Sequence, residues 1–503
     1  MEKYLYGAAV QGIQSFIFQT NELQDIVGAS ELVQLICTDS FNEFARNGKN
    51  IVRAAGNIKF LFNNREDCEK AVLEFPKKVM ESAPGITISQ AVVKFDEEST
   101  SFDKVIEELE KKLKIQRNKS VPSSIFGLTA MEHSRNTGQP VVDIKINKKK
   151  GKEEYWDDAT KCKKEEFNKA SNRLCQDAFG HSISPAKFPY DIKQITSNND
   201  WIAVIHADGN GLGQIIQSIC HEENLMINFS EGLSYSTKSA ARQAYAFVRE
   251  RYGIHEEDII PIRPIVLSGD DFTVICRADF AIEYIQAFII AFENETKLML
   301  DSIFENREEK NIIEKLTCCA GITFMKSSFP FYYGYELAEA LCAAAKIDAK
   351  SFDTTLSPSC LMFHKVQDSF ITSYQDIVNR ELTLENTDNN ISWQFGPYYV
   401  DSLEGRWTIE DLLDCRRALS KKNGNVLKNN IRQWLSAMTS DTNYAEQILE
   451  RAKVMAQDSF EVLSMATTPE ITTKFGKKKK YYPAYDILSL NTISVQKTKE
   501  VRK

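Results

Sequence analysis

Two short segments carry residues whose types and spacing suit phosphate and metal chemistry. In the first, an apolar run ends at Asp208 and is followed by Gly209, Asn210, Gly211, Leu212 and Gly213. Glycines let a backbone approach phosphate oxygens closely, and free N–H groups at a helix start favour an anion. In the second, Ser268-Gly269-Asp270-Asp271 lies between two apolar arms and reads as a hairpin turn. Two adjacent carboxylates at such a tip repel each other unless a cation is near. Asp208, Asp270 and Asp271, with Gly209 beside them, form the expected metal set, an oxygen-rich environment that suits two Mg²⁺ or Mn²⁺ ions. Such a pair clamps the attacking and leaving oxygens of a phosphoryl transfer, so the three aspartates are the candidate catalytic residues. The candidate nucleotide contacts are Gly209 to Gly213, Ser268, Gly269 and Lys346, with Lys350 a less direct one.

The elements needed to bring these segments together can be read from the pattern. A buried strand over 201–206, a helix over about 235–251, hairpin arms at 262–267 and 272–276, a helix over about 279–300, a strand at 317–325 and a helix at 335–345 give the order β-α-β-β-α-β. This is a ferredoxin-like split unit, in which the first strand and the hairpin are neighbours and Asp208 meets Asp270. The N-terminal part repeats the order: strand 4–10, helix 22–44, hairpin 51–62, helix 66–80, strand 86–95. Aligned without gaps, the hairpins set Gly56 against Gly269, Asn57 against Asp270 and Ile58 against Asp271, and Gln11-Gly12 falls against Asp208-Gly209. The first copy therefore lacks all three carboxylates. The expected fold class is α+β: a non-catalytic unit over 1–115, a linker or small subdomain over 116–197, a catalytic unit over 198–366 and a helical C-terminal domain over 367–503. Amphipathic stretches at 408–419, 427–438 and 444–456 support the last.

Composition sets outer limits. The 503 residues exceed one ordinary core, and 43% hydrophobic with 26% charged residues is usual for a globular chain. No basic leader or run of about 18 apolar residues is found, so no membrane role is expected. Eleven cysteines without a C-x-x-C pair fit free thiols in a reducing cytoplasm. A net charge of −8 argues against non-specific coating of nucleic acid, leaving lysine runs at 145–152 and 477–480 as local basic patches that read first as solvated loops. The six histidines form no pair at ligand spacing, and His206 reads as a strand residue.

In GIQSFIFQTNELQDIVGASELV, HADGNGLGQII, LSGDDFTVIC, CAGITFMKSSFPFYYGYELAEALCAAAK and SCLMFHKV the sequence resembles the large polymerase/cyclase subunit of type III CRISPR effector complexes, a relative of GGDEF diguanylate cyclases. The resemblance implies two palm domains, the first inactive. It implies that the second binds two nucleotides and two metal ions through Asp208, Asp270 and Asp271, with the 209–213 turn on phosphates and Lys346 on the triphosphate. It further implies conversion of ATP into cyclic or linear oligoadenylate when guide and target RNA and other type III subunits are bound. A stand-alone or self-associating form is also compatible with the chain's size. Three departures are visible: Ser268 replaces a glycine, Asn210 replaces an aspartate, and the family's zinc site would fall near 132–140, where no cysteine stands. No zinc is expected, nor an HD nuclease, since no His-Asp dipeptide occurs. Competing readings are a non-catalytic scaffold or RNA-sensing subunit, a cyclase using another nucleotide such as GTP, and a template-dependent polymerase.

Overall fold

The computed structural model describes residues 2–54, 56–119, 130–147, 151–169, 173–196, 200–305, 314–367, 373–385, 390–420, 424–455, 460–474 and 477–493. Strands β1 (Glu2–Gln11), β2 (Gly48–Ala54), β3 (Asn57–Phe62) and β4 (Thr87–Asp96) form an antiparallel sheet in the order β2-β3-β1-β4. Helices Leu23–Cys37 and Arg65–Ser82 fill the two crossovers. This is the split β-α-β-β-α-β arrangement. A further helix, Phe102–Arg117, which the sequence reading did not include, follows β4 and lies on it. Leu109 on that helix reaches so close to Gly7 of β1 that a Cβ there would stand 2.8 Å from its Cδ2.

Segment 130–196 is packed against both halves and is not a bare linker. After the hairpin of β5 (Asp143–Asn147) and β6 (Lys152–Trp156), the helix Asp158–Lys169 lies on Leu23–Cys37. A Cβ at Gly28 would sit 1.9 Å from the Lys163 carbonyl oxygen, so only glycine lets these helices meet. The helix Arg173–Phe179 contacts the long helix Glu223–Tyr252. Residues 148–150 of the first lysine run lie outside the described residues.

The second sheet has six strands in the order β14-β11-β10-β7-β9-β8, from β7 (Trp201–Gly209), β8 (Ile262–Ser268), β9 (Asp271–Arg277), β10 (Cys318–Lys326), β11 (Cys360–Lys365) and β14 (Tyr398–Tyr399). Its part β10-β7-β9-β8 repeats the order of the first sheet. Central strands are buried on both faces: eight of nine residues of β10 and seven of nine in β7 are buried. Such strands read as continuous apolar runs rather than alternations. Helix Ala281–Ile303 covers the sheet, and Phe331–Lys350 lies directly on β10, where a Cβ at Gly321 would meet the Ala338 carbonyl oxygen at 1.9 Å.

The C-terminal segment departs from a purely helical reading. Helices Ile409–Leu419, Gly424–Met438 and Thr442–Met455 match the three amphipathic stretches. Before and after them β12 (Thr383–Glu385), β13 (Asn390–Ser392), β15 (Glu470–Lys474) and β16 (Lys477–Tyr481) form a separate sheet in the order β12-β13-β16-β15. The second lysine run is therefore strand β16, not a loop. No helix among the described residues is long and apolar enough to cross a membrane.

Candidate active site

Asp208 is placed by β7, and Asp270 and Asp271 by the β8–β9 turn, because β9 pairs directly with β7. Carboxylate oxygens of the three lie within 4.8 Å of one another. Two glycines make this possible. A Cβ at Gly209 would stand 3.0 Å from the Asp270 Cβ and 2.4 Å from Leu212 Cδ1, and Gly269 adopts φ +63° in the turn that Ser268 and Asp271 close. Thr237 Oγ1, on the helix beneath, donates to the Gly269 carbonyl at 2.5 Å and fixes the tip.

Lys346 points into the same cluster. Its Nζ lies 2.5 Å from Asp208 Oδ2 and donates to the Gly209 carbonyl at 2.7 Å. Burial opposes the charge on Lys346, yet Asp208 outweighs it and holds the pKa above the usual lysine value. Among the described residues the other two carboxylates have no ion pair of this kind. Burial first, then the charges of Asp271 and Asp208, drives Asp270 up to about 8. Burial and Asp208 raise Asp271 to about 6, against the pull of Lys346. Crowded carboxylates that resist ionisation alone are what a divalent cation relieves, and the all-oxygen donor set fits Mg²⁺ or Mn²⁺.

A cavity of about 580 Å³ opens beside the triad, within the range of small-molecule sites. Asp208, Ser268 and Asp271 line it from one half of the chain, and Gly12, Gln34, Arg53 and Gly56 from the other. Gln14 Nε2 spans the two halves, donating to Tyr335 Oη at 2.9 Å and to Glu339 Oε1 at 3.0 Å. Phe18 stacks on Tyr335 with ring centroids 4.4 Å apart. The N-terminal half thus grips the helix that carries Lys346.

The remaining sequence candidates divide. Gly211, at φ +70°, caps the helix Leu212–Ile219, and Gly213 is exposed in its first turn, but neither lines the cavity. Asn210 is turned inward: its Nδ2 donates to Thr317 Oγ1 at 3.1 Å, and the side chain is buried. This corrects its reading as a nucleotide contact, because a side chain committed to the fold at that depth is unavailable to a ligand. Lys350, one turn beyond Lys346, is exposed at the helix end. His206 is buried and held near 4, hence neutral, with Nδ1 3.1 Å from Thr273 Oγ1. Glu339 was legible in principle, since it lies two helical turns before Lys346 on one face; Gln14 and Arg53 carried no sequence signal.

The strand registers also correct the alignment of the two halves. Ala54 pairs with Asn57 across the first turn, as Ser268 pairs with Asp271 across the second. Asn57 therefore occupies the place of Asp271, and Gly56 that of Asp270. Gly12 and Gly211 both cap a helix at positive φ, which sets Ala9, not Gln11, opposite Asp208. Through β1 and β3 the check closes: Ala9 pairs with Asn57. The absence of carboxylates from the first copy survives this shift.

Residues 201–352 match the family described as Cas10/Cmr2, second palm domain. No curated protein sequence matches. Among solved structures, the Csm1–Csm4 cassette in complex with cA4 is similar with a TM-score of 0.54 at 12% identity, covering 98% of this chain and 69% of that one. The cassette in complex with pppApA gives 0.53 at 12% identity over 98% and 70%. Csm1 in T. onnurineus gives 0.52 at 12% identity over the same shares. The resemblance to the large subunit of type III CRISPR complexes is borne out; at such identity the structural likeness speaks for the fold.

Proposed function

With residues 201–352 matching a Cas10/Cmr2 second palm, we propose that the chain is a metal-dependent nucleotidyltransferase. It converts ATP into cyclic or linear oligoadenylate second messengers in CRISPR-type antiviral defence, gated by guide and target RNA within a type III assembly. The observation that carries the reading is the convergence of Asp208, Asp270 and Asp271 beside a cavity walled by both halves. In this reading residues 1–115 are a non-catalytic palm, 198–366 the catalytic palm, and 367–503 a C-terminal domain.

Two Mg²⁺ or Mn²⁺ ions, held by the three aspartates and the Gly209 carbonyl, would lower the pKa of a ribose 3′-hydroxyl and neutralise the triphosphate and departing pyrophosphate. The chain's own groups then have defined tasks. Lys346 exchanges Asp208 for a triphosphate oxygen, keeping an ammonium beside the developing charge. The backbone at Gly209, Gly211, Leu212 and Gly213 approaches phosphates at the start of the helix Leu212–Ile219. Ser268 and Gly269 shape the floor on which the reacting nucleotide rests. Gln14 and Phe18 hold the Lys346 helix in line, the positioning that makes in-line displacement efficient.

The test is incubation of the full chain with each labelled ribonucleotide and Mn²⁺, with and without its RNA-bound partners. ATP-specific formation of 3′–5′ oligomers is expected. Consumption of GTP alone, or no turnover with any partner, would overturn the reading.

A further inference from the structure

The end of the six-stranded sheet away from the aspartates gathers cations around one indole. Trp201 opens β7, the strand that carries Asp208 roughly 20 Å further along. Lys326, the last residue of β10, is its cross-strand partner. Lys365, the last residue of β11, pairs with Phe324, two residues before Lys326, so Trp201 and both lysines lie on one face. The Lys326 Nζ stands 4.5 Å and the Lys365 Nζ 4.6 Å from the centroid of the same indole ring. Lys365 also donates to Thr492 Oγ1 at 2.6 Å, on the helix Ala484–Ile493. From the helix Gly424–Met438 come the exposed Arg432 and, one turn before it, Lys428. Burial first, then Lys326 and Arg432, push the pKa of Lys365 below the usual lysine value, and burial with Arg432 does the same to Lys428. Among the described residues no carboxylate forms an ion pair with Lys365, Lys428 or Arg432. None of these residues lines the cavity beside the aspartates.

A single ammonium over an indole needs no ligand, since the ring itself attracts it. A second ammonium over the same ring, with a guanidinium near enough to depress it, adds a repulsion that an incoming anion relieves. The chain as a whole carries a net charge of −8, so this concentration of cations runs against its background. The indole and Thr492 hold Lys365 in place, which removes part of the entropy that a free lysine loses on binding. A compact group with several charged oxygens fits such a set, and the fork of arginine matches phosphate bidentately. We propose that Trp201, Lys326, Lys365, Lys428 and Arg432 form a phosphate-binding site, separate from the cavity beside the aspartates. Its ligand is a phosphate group, supplied by a free polyphosphate or by the backbone of a single-stranded RNA. Two of the cations come from strands of the six-stranded sheet and two from a C-terminal helix. A bound phosphate therefore bridges those parts at the sheet end opposite Asp208.

The test uses the full chain in EDTA, which keeps metal-held phosphate at the aspartates out of the measurement. The probes are inorganic tripolyphosphate and a short single-stranded RNA of mixed sequence. Dissociation constants are measured by equilibrium titration at several salt concentrations, for the wild type and for Lys365→Gln with Arg432→Gln. The double variant is expected to bind at least one probe about tenfold more weakly, and the slope of log affinity against log salt for that probe should flatten by about one to two. Loss confined to tripolyphosphate assigns the site to free polyphosphate, and loss for the RNA assigns it to a nucleic-acid backbone. Wild-type affinity and slope for both probes would overturn the proposal. Should the variant fail to fold, as its melting curve would show, acetylation of the wild type decides. A saturating probe should slow acetylation of Lys326 and Lys365 several-fold, read by mass spectrometry, and leave the exposed Lys77 unaffected. Acetylation of Lys326 and Lys365 at the same rate with and without either probe would likewise overturn it.

Discussion

At the scale of single residues, the site is a problem of like charge. Asp270 and Asp271 are raised by burial and by neighbouring carboxylates, and without a cation they weaken the fold they sit in. Asp270→Asn with Asp271→Asn should therefore abolish product formation while leaving the metal-free melting temperature unchanged or higher, within about 1 kcal/mol. Turnover assays and calorimetry on one preparation check both halves of that statement; full turnover would end the metal assignment. These aspartates were legible because a carboxylate ending an apolar strand and a paired carboxylate in a turn need only local pattern to be seen. The correspondence between the two copies was not. Gly56 is the second residue of its turn and Gly269 the first of its own, so matching glycine to glycine slips the alignment by one. The burial of Asn210 was hidden for a different reason: its partners Thr317 and Ser357 are more than a hundred residues away.

At the scale of elements, the position of Lys346 depends on how closely its helix can lie on β10. Gly321→Ala would place a methyl group 1.9 Å from the Ala338 carbonyl oxygen and 2.5 Å from the Cys342 amide. The helix must shift outward, which should cost about 1–3 kcal/mol of stability and draw Lys346 from Asp208, lowering turnover at least several-fold. Unaltered melting and turnover would show that this contact does not position the lysine. A second element-level case is the helix Ala484–Ile493, which docks on β14 through Tyr398 Oη donating to Asp486 at 2.7 Å. Burial pushes Asp486 up from 3.8 to about 7, so between those values the native state binds a proton that the unfolded chain has released. Stability should then fall as pH rises from about 4 to about 7, by on the order of a few kcal/mol from this group. Comparing melting curves of the wild type and Asp486→Asn across that range should show a difference that shrinks or reverses toward pH 7; a constant difference would refute the linkage. The helices of this region were legible from their period. Its sheet was not, because β12 and β13 span only three residues each and β16 reads KKKKY, with no alternation to betray a strand.

At the scale of the whole molecule, the C-terminal segment is built into the six-stranded sheet that carries the three aspartates. Strand β14 adds to the edge of β11, and Arg416 Nη2 donates to the Asp279 carbonyl at 2.6 Å. Deleting 370–503 would bare the β11 edge, and the expected result is aggregation rather than an uncoupled catalytic half. A finer probe of coupling is Asp348, two residues beyond Lys346 on the same helix. It accepts hydrogen bonds from Tyr399 Oη and from Arg406 Nη2, the latter at 3.0 Å, so it ties the end of the helix that carries Lys346 to the C-terminal segment. A signal-producing site that fired on ATP alone would run constantly, and a partner that shifts the C-terminal segment has in Asp348 a direct lever on Lys346. Asp348→Ala removes the partner of a partly buried guanidinium and should lower stability by about 1–3 kcal/mol. If the lever transmits the trigger, the ratio of RNA-stimulated to unstimulated product formation should fall about fivefold or more. The measurement is product formation by wild type and variant, each with and without the RNA-bound partner complex, below the variant's melting temperature. A variant that is less stable yet keeps the full stimulation ratio would show that the trigger reaches the aspartates by another route, with the grip of Gln14 and Phe18 on Tyr335 the next place to cut.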